Sequence, residues 1–171
     1  RAGVKIGVVG ANTSETIEQV FPGNLDYIDA SGAKKTITID PGVTGINQAI
    51  VDAKAAGADL VIALVHQGWL ENADGVSKGI LNTMAAQIKG AAAIYGGHSH
   101  QSFASVIPGS PRVAPVVIGQ TRNSGVEYTR TQICMKYGKV VGQSIQHVLK
   151  AASATMTTGI VSTVTTQDVA A

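Results

Sequence analysis

Three short apolar runs constrain the fold of this chain more than any other feature: Val4 to Val9, Leu60 to Val65 and Ala91 to Tyr95. Each is nearly continuous in hydrophobic residues, the pattern of a strand buried on both faces of a parallel sheet. The segments between them have helical spacing. Ile46, Ala49, Ile50 and Ala53 make one apolar face, with Asp40-Pro41 as a start signal and Gly57 as a stop. A second amphipathic helix is predicted from about Val76 to Lys89, with Leu81, Met84 and Ile88 inward and Gly90 as its cap. Residues 4 to 95 therefore read strand–helix–strand–helix–strand, an α/β pattern of parallel βαβ units.

The remaining segments are more irregular. Asn12 and Glu15 have capping-box spacing for a short helix running to Val20 and stopped by Pro22-Gly23. Gly7 and Gly10 do not complete a dinucleotide fingerprint, since the third glycine and the later acidic residue are not in place. Asn12-Thr13-Ser14 is a glycosylation sequon, relevant only to a chain secreted through a eukaryotic pathway. Leu25 to Ile28 and Thr36 to Ile39 read as short strands or connectors around the Ser31-Gly32 turn. Ser102 to Pro111 is predicted as a loop, Ala114 to Ile118 as a strand and Gln120 to Gly125 as a polar turn. Tyr128 to Lys136 and Val140 to Ile145, joined by Tyr137-Gly138-Lys139, are predicted to form an antiparallel hairpin. Residues 1–150 thus make one domain, and the Ala-, Ser- and Thr-rich residues 151–171 are expected to be a linker or tail leading away from it.

Composition removes several classes of function. With 44% hydrophobic and 14% charged residues, the chain is globular rather than disordered. A net charge of +2 without a basic cluster gives no electrostatic footprint for a nucleic-acid polymer. No apolar run is long enough to span a membrane, and no signal peptide is visible. The single Cys134 excludes an internal disulfide and is expected as a buried, inert thiol in a strand. Low charge with abundant Ser and Thr suits an extracellular, periplasmic or cell-surface setting. Arg1 in place of Met suggests a processed or truncated chain.

Two of the apolar runs lead directly into histidines: Leu64-Val65-His66-Gln67-Gly68 and Tyr95-Gly96-Gly97-His98-Ser99-His100. Three of the four histidines in the chain lie in these two loops. Open α/β sheets place ligands at the carboxyl ends of their strands. Neutral imidazole is the commonest protein metal ligand, so His66, His98 and His100 are candidate metal ligands. In an extended backbone His98 and His100 would point to one side. His147 reads as a solvated surface residue. Trp69 either packs on the neighbouring helix or stacks a nucleobase. Glu71 and Asp74 are solvated loop carboxylates or lie within reach of a metal. Gln101 reads as a hydrogen-bonder within its loop. Arg122 and Asn123 either shape a turn or contact a phosphate.

The pairing of L-V-H-Q-G with G-G-H-S-H resembles the 5′-nucleotidase branch of the calcineurin-like metallophosphoesterases. The early K-I-G-V-V-G-A-N-T-S-E-T, the G-A-D-L-V-I-A-L-V-H run and the G-K-V-V of the closing hairpin are also similar to that family. The resemblance runs through most of residues 3 to 145. It implies the second half of a four-layer α/β/β/α metallophosphatase domain, acting on a nucleotide or other small phosphoester. It further implies two divalent metal ions (Zn, Mn or similar), with His66 and His98 on one and His100 on the other.

The sequence also departs from that family. No Asp-x-His occurs in it. The family's bridging Asp and its Asn-His-Asp/Glu segment have no counterpart either, nor does its separate C-terminal substrate-binding domain. Where the family often has Gln-Ala-Gly, this chain has Gln120-Thr121-Arg122. The resemblance therefore implies a partial site, with no catalytic residue assigned in this chain and no substrate-binding residue identified. It also implies a missing N-terminal half, or another chain, covering the sheet. The parent protein would be a hydrolase and the isolated chain would have little or no activity. Two other readings belong to different classes: a structural or interaction module built from a half-domain, and a flavodoxin-like nucleotide binder. The latter leaves the histidine cluster without a role.

Overall fold

The computed structural model describes residues 3–13, 15–39, 42–68, 80–107, 115–149 and 159–166. Its first strand, β1 (Ile6–Ala11), starts two residues later than the apolar run predicts. A single turn of helix follows, α1 (Thr16–Gln19). The capping box expected from Asn12 and Glu15 is not formed. Instead the buried Thr13 accepts the Glu15 N–H through Oγ1 at 3.3 Å, and the Thr16 hydroxyl donates to the Thr13 carbonyl at 2.7 Å. A 3-10 turn at Pro22–Leu25 then leads into the short antiparallel pair β2 (Asp26–Ile28) and β3 (Lys34–Thr36).

Helix α2 (Val43–Ala55) buries Ile46 and Ile50, as its apolar spacing requires. Asp40 and Pro41, the predicted start signal, lie outside the described residues. Strand β4 (Leu60–Val65) has the predicted bounds. Helix α3 is described over Ile80–Gln87, with Leu81 and Met84 buried and Ile88 buried just beyond its end. Asn47 of α2 donates to the Gln87 carbonyl at 3.2 Å and accepts the Lys89 N–H at 2.8 Å. One amide side chain thereby satisfies backbone groups at the end of α3 that the helix itself leaves unpaired.

Strand β5 (Ala93–Tyr95) is followed by β6 (Phe103–Ile107) and β7 (Val116–Gln120). β6 corrects the predicted loop over 102–111. The prolines at 108 and 111 made that stretch read as irregular, yet the five residues before them are apolar or small and pair along their whole length with β7. The five-stranded sheet has the order β1-β4-β5-β7-β6, parallel except for β6.

Strands β8 (Glu127–Lys136) and β9 (Lys139–Leu149) form the expected antiparallel hairpin. Residues 159–166, expected as part of a linker or tail, form β10 (Gly159–Thr166), which pairs antiparallel with β9. Cys134 is exposed, not buried. Burial along β8 alternates from Glu127 inward, and this register puts the even positions, Cys134 among them, on the outer face.

The result is an α/β fold in layers. Helices α2 and α3 cover one face of the large sheet through Val9, Val61, Ala63, Ile94 and Ile118. The three-stranded sheet covers part of the other face, where Ala93 and Val117 pack against Ile145. That cover lies over the β5–β7–β6 side. On the β1–β4 side the same face leaves Ile6, Val8 and Leu64 exposed, at 49%, 61% and 47%.

Candidate metal centre

His66 is the first residue after β4, and its N–H donates to the Ala11 carbonyl at 2.8 Å, extending the β1–β4 ladder by one rung. The buried Gln67 then turns the chain. Its carbonyl accepts the Gly97 N–H at 3.0 Å, while the Gly96 N–H reaches the Gly119 carbonyl at 2.8 Å. The two histidine loops are therefore joined backbone to backbone. Their glycines permit that approach. A Cβ on Gly68 would lie 2.6 Å from the Ser99 Cβ, and one on Gly96 would collide with Leu81 and lie 2.8 Å from the Gln67 carbonyl oxygen.

The loop carrying His98 and His100 is not extended. Both residues have left-handed backbone, with φ of 75° and 57°. The alternation argument that put both side chains on one side therefore does not apply. Non-glycine residues avoid this region, and the closely joined loops hold them there. His98 comes against His66, with ring centroids 5.2 Å apart in an edge-to-face arrangement. Its Nε2 lies 3.1 Å from Oε2 of Glu15, at the start of α1. His100 is exposed.

Beside the histidine pair is an open cavity of about 430 Å³ at the carboxyl ends of β1, β4 and β5. Gly10, Ala11, Asn12, His66, Tyr95 and Gly97 contribute to its wall. Asn12 thus faces the cavity instead of capping a helix. Tyr95 donates its hydroxyl proton to Thr131 of β8, and burial raises its pKa above the ordinary value of 10.0. A tyrosine whose folded pKa is raised stabilises the fold fully below the unfolded value, and that contribution disappears as pH rises through the folded one. Stability is therefore expected to fall above about pH 10, with Tyr95→Phe removing part of that slope. Urea midpoints measured across this range check it, and identical slopes in both proteins would contradict it.

Two residues expected elsewhere, Gln120 in a polar turn and Glu15 in a capping box, organise the site instead. Gln120, at the end of β7, is 1% exposed, and its amide nitrogen donates to Ser99 Oγ at 2.7 Å and to the Gln101 carbonyl at 3.0 Å. A glutamine closing an otherwise apolar strand was the available signal. Glu15 left none, because its contact with His98 is made only by the fold. Arg122 serves the turn: its N–H donates to the buried Glu127 Oε1 at 2.7 Å, and its Nε lies 3.5 Å from Oε2. Trp69, Glu71 and Asp74 lie outside the described residues, as does the side chain of His147.

Imidazole nitrogen and carboxylate oxygen suit a divalent ion such as Zn or Mn. Among the described residues, however, no three His, Cys, Asp or Glu side chains stand so that they could hold one together. The chemistry of the donors fits such an ion, but the described residues do not bring three of them together.

Fold and site together define an α/β chain with histidine-bearing loops at the carboxyl edge of a parallel sheet. No family model matches the chain. No protein of curated function matches it significantly. Among solved structures it is similar to the calcineurin-like phosphoesterase YfkN from Bacillus subtilis, with 22% identity and a TM-score of 0.46. That match covers 96% of this chain and 45% of the other, so the chain spans less than half the length of that structure.

Proposed function

We propose that this chain is one part of a metal-dependent phosphoesterase whose substrates are nucleotide 5′-phosphomonoesters. The observation that carries this reading is the meeting of His66 and His98. They come from different strand ends and are brought into ring contact beside a cavity at the carboxyl edge of the sheet. In this reading His66 and His98 hold one divalent ion and His100 a second. Bound ions of this kind lower the pKa of coordinated water and neutralise charge on phosphoryl oxygens. The chain's own residues hold and orient: Gln120 fixes the His98 loop through Ser99 and Gln101, and Glu15 fixes the ring of His98. The remaining ligands come from another part of the protein or from a second chain, and the isolated chain hydrolyses little or nothing. An extracellular, periplasmic or cell-surface setting belongs to the same proposal.

A second reading, a structural or interaction module, is favoured by the exposed Ile6, Val8 and Leu64 beside the edge strand β1. Such an edge and face favour association with another chain. Intact native mass and metal content separate the two. The enzyme reading expects a companion polypeptide or larger mass, about two ions in the complete site, and hydrolysis that chelator abolishes. Within it, His66→Ala and His98→Ala should each weaken metal binding by at least about tenfold. A lone 17.5 kDa chain free of metal would leave only the structural module.

A further inference from the structure

The two-residue turn that joins β8 to β9 goes against three local preferences at once. Tyr137 and Gly138 both have left-handed backbone, with φ of 50° and 73°. A hairpin turn of that kind favours Asn or Gly at its centre, and a bulky residue there is an outlier. Tyr137 is also 92% exposed, so its ring gains nothing from burial. Lys136 and Lys139 face each other across the last rung, where like charges repel. Lys136 Nζ lies 5.4 Å from the centre of the Tyr137 ring, and neither lysine makes an ion pair among the described residues. The hairpin offers them no counter-charge, since no acidic residue occurs from Tyr128 to Leu149.

Backbone strain of this kind gathers at ligand-binding surfaces. One kind of partner answers all three departures. An anionic surface neutralises the facing ammonium groups. A tyrosine, apolar in its body and polar at its tip, suits the headgroup level of a bilayer. The turn is convex and stands at the end of strands of 10 and 11 residues, a shape that enters a soft interface but offers no pocket to a folded partner.

We propose that the β8–β9 turn is a peripheral docking site for an anionic lipid bilayer. Tyr137 enters the headgroup layer, and Lys136 and Lys139 pair with lipid phosphates. The site is separate from the histidine cavity. Thr131 of β8 meets Tyr95 at the carboxyl end of β5, whereas Gln143, opposite Ile133, donates to the Ala92 carbonyl just before β5 begins. The hairpin therefore runs from the carboxyl edge of the large sheet toward its amino edge, and its turn lies on the side away from the histidine loops. A chain docked by this turn keeps the cavity open to solution.

The test is co-sedimentation of the full chain with vesicles of phosphatidylcholine alone, and of equal parts phosphatidylcholine and phosphatidylglycerol. Binding is expected only to the mixed vesicles, and should fall as salt is raised. Lys136→Gln and Lys139→Gln should each weaken it about fivefold. Tyr137→Asn is expected to weaken binding several-fold while raising the urea midpoint, because Asn suits the left-handed position. That opposition separates a docking residue from one that merely shapes the turn. No sedimentation of the unaltered chain with the mixed vesicles would overturn the proposal. So would binding that survives Tyr137→Asn, or both lysine replacements together, unchanged. Full competition by soluble polyglutamate at equal charge would overturn it in favour of an acidic polypeptide partner.

Discussion

Gln120→Leu is expected to lower the stability of the chain by about 2–3 kcal/mol while preserving its overall fold. Leucine fills nearly the same volume, so the loss comes from polar groups and not from a cavity. Gln120 is 1% exposed, and its amide reaches both Ser99 Oγ and the Gln101 carbonyl. Losing this donor in a buried setting costs more than a typical hydrogen bond is worth. The damage should be local. Amide hydrogen exchange is expected to rise at residues 98 to 101 and to change little in α2, because both of these hydrogen bonds go to the histidine loop. A loss below about 1 kcal/mol, or uniform exchange, would show that the loop is held by its own backbone contacts.

Ile145→Ala should cost more, about 3–4 kcal/mol. Ile145 is fully buried between the two sheets, packed on Ala93 and Val117. Its Cδ1 lies 2.6 Å from the position that a Cβ on Gly119 would take. Removing it leaves a cavity between layers whose backbones cannot easily close, since one wall is the parallel sheet. Urea denaturation gives the magnitude. Ile133→Ala, from a half-buried position in the same cluster, is expected to cost clearly less. Equal losses from both would mean that the two sheets are not held chiefly at Ile145.

The elements legible in the sequence were those whose burial is decided by local pattern. Strand β4 was readable to its last residue because its apolar run has no polar interruption, although one face is left open at Leu64. The inward faces of α2 and α3 followed from spacing alone. Legibility failed where a neighbour decides. Phe103–Ile107 becomes a strand because β7 offers an edge, and the prolines after it say nothing of that. The 159–166 segment sits in an Ala-, Ser- and Thr-rich stretch that reads as a tail, yet its own β-branched residues, Ile160, Val161 and Val164 with three threonines, suit a strand once β9 is available. Cys134 faces outward because of the register of β8, a property of the sheet and not of the residue.

The candidate site divides in the same way. His66 and His98 were visible because each follows a strand, and strand ends in α/β sheets converge. The left-handed turn at His98 and His100 was not visible, since nothing in G-G-H-S-H marks which residues leave the extended region. Glu15 and Gln120 act across the fold, and local periodicity carries no information about such contacts.

The pairing of β1 with β4 has a kinetic consequence. Ile6 lies beside Leu60, and no hairpin or local turn can bring these strands together. Closing so long a loop must precede any gain from the contact, whereas β8 and β9 meet through a two-residue turn. The hairpin can therefore form early and the parallel ladder late. His66 hydrogen-bonds to Ala11 only when that ladder is complete. The backbone of His66 is therefore expected to reach its final hydrogen bonding after the local hairpin has formed.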